Sequence, residues 1–422
     1  MNTSSGHEID SSIRIDSARL TEQLEALARF SDAPSPAVTR VLYTEQDMAA
    51  RAWVKGLCTD LGLTVREDAL GNTFARWEGS EPGEAAVATG SHIDAIPHSG
   101  RYDGTVGVLG AIEAVRALNE AGFQPRRSIE VVLFTAEEPT RYGIGCLGSR
   151  AMGGVLNPNA IRALRDENGG GVDEARRACG FTGELETVAL PRGHYHAFVE
   201  LHIEQGPRLE AAGAMIGNVT AIAAPATLHV TITGEGGHAG AVLMPQRRDA
   251  LAAASELTLA VEAAARESGA PDTVATVGIL DVHPRAVNSI PSRIFLTVDA
   301  RDTDGPRRDA AVSRIREAAT AITTRRGVSI EVTTLNADPP AVCAESVRTA
   351  VADAATVHGH TAMDLVSRAY HDTLFVAQVC PVGMIFVPCR DGVSHRPDEY
   401  SSPEQIGAGV EVLASTLVRL AR

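Results

Sequence analysis

Residues 90–104 read GSHIDAIPHSGRYDG and follow, without a polar spacer, the run Ala85, Ala86, Val87, Ala88 and Thr89. An apolar run passing directly into a polar, glycine-bounded segment is the pattern of a buried strand whose end opens at an edge or cleft. The segment sets His92, Asp94, His98 and Asp103 among glycines and a proline. It therefore asks for an interior strand that delivers imidazoles and carboxylates to one place. His, Asp, Gly and Pro also favour turns, so a plain surface loop is the ordinary alternative.

The neighbouring sequence extends the α/β reading. Leu20, Leu24, Leu27 and Ala28 recur at helical spacing, as do Met48, Ala52, Leu57 and Leu61 across residues 45–61. Short strands are expected at 64–68 and 72–77, and a helix over 105–121 with Val108, Ile112, Val115 and Leu118 on its buried face. Residues 128–135 (SIEVVLFT) form another core strand that runs straight into Ala136, Glu137, Glu138 and Pro139. Strands alternating with helices indicate layers around a mostly parallel sheet. Residues 158–193 are charged and read as helical, with a Gly-rich break at 169–171. Residues 198–204 (FVELHIE) alternate like a strand that Gln205, Gly206 and Pro207 terminate.

From about Gly217 the texture changes. Strand runs at 228–234, 274–280 and 294–300 alternate with helices at 248–267 and 305–325, the order of a ferredoxin-like α+β module. Beyond Asp338, Pro339 and Pro340 the earlier alternation resumes and ends in a helix over 403–420. The expected organisation is a discontinuous catalytic domain, 1–216 and 334–422, with a smaller domain, 217–333, inserted in it.

Composition narrows the function. With 422 residues, 44% hydrophobic and 22% charged, the chain suits a soluble globular protein of more than one domain. A net charge of −15 argues against nucleic acid and anionic membrane as partners, while a local arginine still permits a small anionic substrate. Lys55 is the single lysine, which leaves little room for Schiff-base or P-loop chemistry. The six cysteines are scattered with no CxxC pair, as expected of reduced thiols in the cytoplasm, and Cys146 reads as a packed core thiol. The N-terminal MNTSSGHEIDSS is polar and has no apolar signal region, and no run approaches the roughly 18 apolar residues of a membrane span.

His92, Asp103, Glu137 with Glu138, His202 and His395 all fall where an expected strand meets a loop. Holding two divalent ions about 3.5–4 Å apart takes imidazoles and a carboxylate able to bridge. His92, Asp103, Glu138, His202 and His395 supply that set, and Asp94 is spaced to orient the His92 ring. Glu137 is left as the proton shuttle, because adjacent residues do not easily ligate one ion. Each piece has a structural alternative: paired glutamates often start a solvated helix, and a strand histidine is often only hydrogen-bonded. The joint pattern is what favours metal.

The segments GSHIDAIPHSGRYDG, AEEPTRYGIGCLGSRAM, VELHIEQGP, GGHAGAVLMP, VNSIP and DGVSHRPDEY together resemble the dinuclear amidohydrolases of the M20 peptidase-like family. They are most similar to the branch of N-carbamoyl-L-amino-acid, allantoate and ureidoglycolate amidohydrolases, and the resemblance runs from about Arg40 to the C-terminus. It implies a zinc-peptidase-like (phosphorylase/hydrolase-like) α/β catalytic domain with an inserted ferredoxin-like lid that also makes a homodimer. It further implies that His92 and His202 hold one ion, Glu138 and His395 the other, and that Asp103 bridges them. Glu137 would be general base and acid. The ions would be manganese, with zinc, cobalt or nickel as alternatives. His238 would reach the partner subunit's site as an oxyanion donor, and Gln205, Asn288 and Arg301 would bind substrate, Arg301 through its carboxylate. On their own residues Arg301 reads as a surface ion-pair residue and Asn288 as a turn residue.

Within the branch, Gly237 precedes the lid histidine and Arg368, Ala369, Tyr370, His371 and Asp372 stand where carbamoylases tend to have GAGHD. These features resemble the ureidoglycolate-cleaving members, and they place Tyr370 and His371 with the substrate-binding residues. Tyr370 either fills the pocket and adds a hydroxyl, which suits a short hydroxylated substrate, or only packs under the sheet. The expected activity is cleavage of the ureido C–N bond of a small anionic ureido acid, (S)-ureidoglycolate first. An N-carbamoyl-L-amino acid and then allantoate are the alternatives within this chemistry, and a non-catalytic binding protein on the same fold is the alternative outside it.

Overall fold

The computed structural model describes residues 9–422. The polar stretch read at the extreme N-terminus lies, for residues 1–8, outside the described residues. Chain contacts divide the protein into two compact units. Of the described residues, the first comprises those up to Thr220, Cys343–Leu365 and His371–Arg422, and the second Ala221–Val342 with Val366–Tyr370.

The first unit opens with helices α1 (Ser17–Ala28) and α2 (Glu45–Asp60). Asp16 and Thr44 cap their N-termini by accepting backbone N–H groups of Arg19 and Asp47. Strands β1 (Thr64–Glu67), β2 (Thr73–Trp77) and β3 (Ala86–His92) follow, then helix α3 (Thr105–Glu120), β4 (Ile129–Phe134), β5 (Tyr195–Ile203) and β6 (Ile216–Ile222). The chain then enters the second unit, through β7 (Ala224–Thr233), α4 (Ala250–Arg266), β8 (Val274–His283), β9 (Arg293–Asp302), α5 (Gly305–Arg326) and β10 (Ser329–Ala337). It returns as α6 (Glu345–Val357), β11 (Val382–Val387) and α7 (Pro403–Leu420). Where the excursion begins and ends, the Cys343 N–H donates to the Thr220 carbonyl at 3.0 Å.

Strand order in the first unit's large sheet runs β6–β11–β5–β3–β4–β2–β1. The middle pairs β11/β5, β5/β3 and β3/β4 are parallel and the flanking pairs antiparallel. Every residue of β3, β4 and β11 is buried, as a sheet covered on both faces requires. Helices α3 and α7 pack on each other and on this sheet, and their apolar residues merge with those of β3, β4, β5 and β11 in one core. Register sets His92 level with Phe134, and His202 level with Phe386, so the parallel strands end together. Ligand sites in such sheets lie beyond the carboxyl ends of the strands.

In the second unit the sheet order is β8–β9–β7–β10, with every neighbour antiparallel. This is the split βαβ arrangement, and α4 and α5 close one apolar core over it. Strand β8 is an edge strand and remains largely exposed along its length.

One stretch departs from expectation. Residues 158–193 hold only the short helices Pro158–Ala163 and Val172–Ala178 and a turn at Leu185–Thr187. Tertiary contacts replace helical continuity there: Ile161, Val172, Phe181, Leu185 and Val188 are buried in one cluster with Tyr43 and Leu70. Buried Arg176 donates to the carbonyls of Ala69, Phe181 and Gly183 and pins the loops between. All six cysteines are free thiols. Among the described residues no helix is long and apolar enough to cross a membrane.

Gly90, in the middle of β3, has φ +146, and a Cβ there would lie 1.9 Å from the Val132 carbonyl oxygen of β4. That atom is backbone in a paired strand and has nowhere to move. Gly90→Ala is therefore expected to destabilise the fold by about 1–3 kcal/mol, the overpacking range. Denaturant unfolding of the purified variant measures it, and a midpoint equal to wild type would refute it.

Candidate active site

The parallel strands converge on Asp103, which lies in the loop between β3 and α3 and is 8% exposed. His92, the last residue of β3, brings its Nε2 to 3.5 Å from Asp103 Oδ1. His202, next to last in β5, brings its Nε2 to 3.3 Å from the same oxygen. His395, in the loop after β11, sets its Nε2 3.4 Å from Asp103 Oδ2 and 3.3 Å from Glu138 Oε1. Two sets of ligand-type atoms result, His92 with Asp103 and His202, and Asp103 with Glu138 and His395, each within 4.8 Å of one another. Asp103 belongs to both. The structure thus brings together five side chains that the sequence scatters from residue 92 to 395.

The ring tautomers follow from the outer contacts. His92 Nδ1 lies 3.1 Å from the Asp94 carbonyl and His202 Nδ1 lies 2.8 Å from the Ile203 carbonyl. A proton on each Nδ1 makes those hydrogen bonds and leaves an Nε2 lone pair facing Asp103. Gly104 N–H points at the His202 lone pair from 3.1 Å, while the buried His92 Nε2 makes no hydrogen bond. The Asp94 carboxylate, 3.4 Å from His92 Nδ1, accepts the backbone N–H groups of Glu137 and Glu138 at 3.2 and 3.0 Å. It joins the end of β3 to the residues following β4.

Burial and mutual charge dominate the electrostatics. Burial raises the Glu137 carboxyl well above its ordinary value, Glu138, Asp372 and Asp103 add to this, and His92 opposes it. Glu138 is pushed up to about 7 by burial and by Asp103. Asp103 itself is held well below the usual carboxylate range, because His202, His395 and His92 together outweigh its burial. The Asp103 hydrogen bond raises His395 to about 9 against a smaller effect of burial. Carboxylates crowded this closely call for positive charge, and the imidazole and carboxylate donors suit divalent ions. The unpartnered His92 Nε2, aimed at the shared carboxylate, fits such an ion.

Glu137 is 6% exposed, and its Oε2 lies 3.8 Å from His92 Nε2. The Cys146 thiol donates to its other oxygen at 3.5 Å, so this core cysteine touches the candidate proton shuttle. Gln205 donates its amide to Asp103 Oδ2 at 2.5 Å, and its buried Oε1 has no hydrogen-bond partner. His371 is 1% exposed, with its ring edge-on to His202 at 4.5 Å and packed on Phe386. It therefore sits behind His202 rather than on an open face. His98 is exposed, at φ 58, and joins neither set.

The remaining expected residues lie in the second unit. His238 and Asn288 are exposed neighbours on a two-stranded ladder in which His238 pairs with Ser289, and the Asn288 carbonyl accepts Ala239 N–H at 2.9 Å. Arg301 Nε and Nη2 donate to the two Asp299 oxygens at 2.7 and 3.1 Å, and Nη1 donates to the Arg368 carbonyl at 3.3 Å. The guanidinium lies 5.4 Å from the half-buried Tyr370 ring. Tyr370 thus packs on Arg301, and the arginine makes the ion pair that its own sequence context suggested.

Some polar partners were not singled out by sequence. Glu200 accepts hydrogen bonds from Ser91 at 2.7 Å and Thr373 at 2.5 Å, and forms a third ligand-type cluster with His202 and His371. It stands two residues before His202 on β5, so same-face spacing was the available signal. Asp372 accepts from Ser149 at 2.5 Å, and Glu399 lies buried against the Asp103 loop.

A sheet that gathers imidazoles and carboxylates at the carboxyl ends of its parallel strands, with one glutamate left over, is equipped for metal-dependent hydrolysis. Residues 88–419 match the model of peptidase family M20/M25/M40, and the chain belongs to that family. It is similar to the ureidoglycolate hydrolase of Arabidopsis thaliana, with 54% identity over 417 residues that cover 97% of this chain and 88% of that protein. It is 40% identical over 409 residues to the N-carbamoyl-L-amino acid amidohydrolase of Geobacillus stearothermophilus, covering 97% and 99%. The crystal structure of AtUAH in complex with (S)-hydroxyglycine matches with a TM-score of 0.90 at 52% identity, covering 98% of this chain and 99% of that one.

Asp94→Ala removes the acceptor for two backbone N–H groups and loosens both Glu137 and Glu138. Loss of such outer contacts costs about 10–100-fold in metal affinity, and a shift of that size is expected in manganese titration of metal-free protein. Affinity equal to wild type would contradict the role given to Asp94.

Proposed function

We propose that the protein is a metal-dependent amidohydrolase that cleaves the ureido C–N bond of (S)-ureidoglycolate. The observation that carries this reading is 54% identity, over nearly the whole chain, to a ureidoglycolate hydrolase. Tyr370, which packs on Arg301, stands where carbamoylases tend to have glycine, and a ring with a hydroxyl there would suit a short hydroxylated substrate. The metal ligands would be His92, Asp103 and His202 for one ion and Asp103, Glu138 and His395 for the other, with manganese the expected ion. Two ions held there would supply Lewis acidity toward water and the ureido carbonyl.

The chain's own groups do the rest. Glu137 takes a proton from the attacking water and delivers it to the departing nitrogen as the C–N bond breaks. Its buried, carboxylate-crowded setting favours the protonated form that delivery requires. His238 of the partner subunit and Asn288 would donate to the developing oxyanion. Gln205, whose Oε1 is an unused acceptor, would take a ureido N–H. Arg301, whose planar guanidinium suits a carboxylate, would meet the substrate carboxylate. His371 is assigned to orienting His202. The products would be ammonia, carbon dioxide and hydroxyglycine, and hydroxyglycine would lose a second ammonia to give glyoxylate.

The second unit is proposed as lid and dimerisation module. Val274, Ile279 and Leu280 on the open edge strand β8 are 39%, 50% and 37% exposed, an edge that a second copy would cover. The free thiols favour a reducing, cytoplasmic setting.

Rates measured side by side on ureidoglycolate, allantoate and several N-carbamoyl-L-amino acids, with manganese added, are expected to be highest on ureidoglycolate. Faster turnover of any carbamoyl amino acid would replace this substrate with the runner-up. Glu137→Gln should retain its metal yet lose about 10²–10⁴-fold in kcat; a near-wild-type rate would refute the shuttle. Mixing inactive Glu137→Ala and His238→Ala homodimers should restore activity as subunits exchange. Verified exchange without restoration would confine His238 to its own subunit.

A further inference from the structure

We propose that Glu399 and Ser394 are positioning residues that set the orientation of Asp103, an inference that rests on Asp103 being the ligand shared by two ions. Asp103 sits in a loop, and its carboxylate can twist about its last side-chain bond. To serve both triads it must keep Oδ1 toward His92 and His202 and Oδ2 toward His395.

Two residues from the far end of the chain hold it there. Glu399 Oε1 accepts the backbone N–H groups of Tyr102 at 2.7 Å and of Asp103 at 3.1 Å. The Ser394 hydroxyl donates to Asp103 Oδ2 at 2.6 Å, and the same hydroxyl lies 3.0 Å from Glu399 Oε2. Glu399, 4% exposed, thus grips the backbone of Asp103 directly, while Ser394 sits between the two carboxylates and shares its one proton between Asp103 Oδ2 and Glu399 Oε2. Fixing one oxygen of Asp103 fixes the direction of the other.

Packing agrees with this assignment. A Cβ on Gly100 would lie 2.4 Å from both Cβ and Oε1 of Glu399, so the loop backbone is laid directly against this residue. Ser394 also precedes His395 in the chain, so Asp103 and its imidazole neighbour are located by one brace. A buried carboxylate placed only for packing would need partners somewhere, yet these partners are all in the Asp103 loop or the Ser394–His395 segment.

Manganese(II) titration of the metal-free full-length protein, followed by calorimetry and by the signal of free manganese, tests the brace. Wild type should bind two ions and Asp103→Ala should bind far more weakly. Ser394→Ala and Glu399→Ala should each lose about 10–100-fold in affinity. Glu399→Gln should recover wild-type affinity, because its amide still accepts both N–H groups and still reaches Ser394. The metal-free melting temperature of Ser394→Ala should equal that of wild type, which separates positioning from general stability. Should Glu399→Ala fail to fold, Ser394→Ala, which removes a single hydroxyl, decides the matter. Ser394→Ala binding as tightly as wild type, or Glu399→Gln binding as weakly as a folded Glu399→Ala, would overturn the brace while leaving Asp103 as ligand. Wild type binding no manganese, or Asp103→Ala binding it normally, would overturn the shared-ligand reading and the brace with it.

Discussion

Buried carboxylates stand close together at the end of the central sheet, and the rest of the first unit is arranged to tolerate them. Asp94, Asp103, Glu137 and Glu138 are all nearly inaccessible, with Glu200, Asp372 and Glu399 behind them. An unpaired buried carboxylate is costly, so each must find compensation. Three imidazoles meet Asp103, backbone N–H groups meet Asp94, and hydroxyls meet Glu200 and Asp372. These partners come from segments hundreds of residues apart, and they meet only if the parallel strands end at the same level. The register between β3 and β4, and between β5 and β11, is thus a chemical requirement as much as a packing one.

The strands are mostly apolar before the rim, and polar residues buried within them, such as Ser91 and Glu200, bond to each other. A strand buried on both faces leaves no polar side chain free before the rim, so functional groups accumulate just past it. His92 and His202 occupy the ends themselves, while Glu137, Glu138 and His395 follow a few residues later in loops with left-handed turns at Ala136 and His395. The polar rim is reached by turning, and the turns aim the side chains.

Much of this was legible in the sequence. Apolar runs that pass straight into His or Glu announce a strand and its end, as at His92 and Glu137, and the fold brings His92, Asp103, Glu138, His202 and His395 together at those ends. The supporting contacts were less legible, for different physical reasons. Glu399 meets Asp103 across 296 positions of sequence, and no local periodicity encodes such a contact. Glu200 was readable in principle, since alternate residues on a strand share a face, but an apolar core gives no reason to expect a second acid. The Arg301–Asp299 pair follows from that same alternation. The segment 158–193 misled because its charges and short apolar spacings resemble helix, whereas Arg176 and the loop carbonyls it collects set the fold there.

Arg301 is embraced from two directions. Asp299 comes from its own strand, whereas the Arg368 carbonyl and the Tyr370 ring come from Val366–Tyr370, a five-residue return to the second unit long after the main excursion has closed. The ends of that excursion are hydrogen-bonded to each other, which makes it look like a cassette that recombination could lift out whole. It is not one. A chimera that exchanged only Ala221–Val342 with a relative would separate the arginine from the tyrosine that packs on it. Inheritance of this corner, in evolution or in the laboratory, has to move two pieces of sequence together.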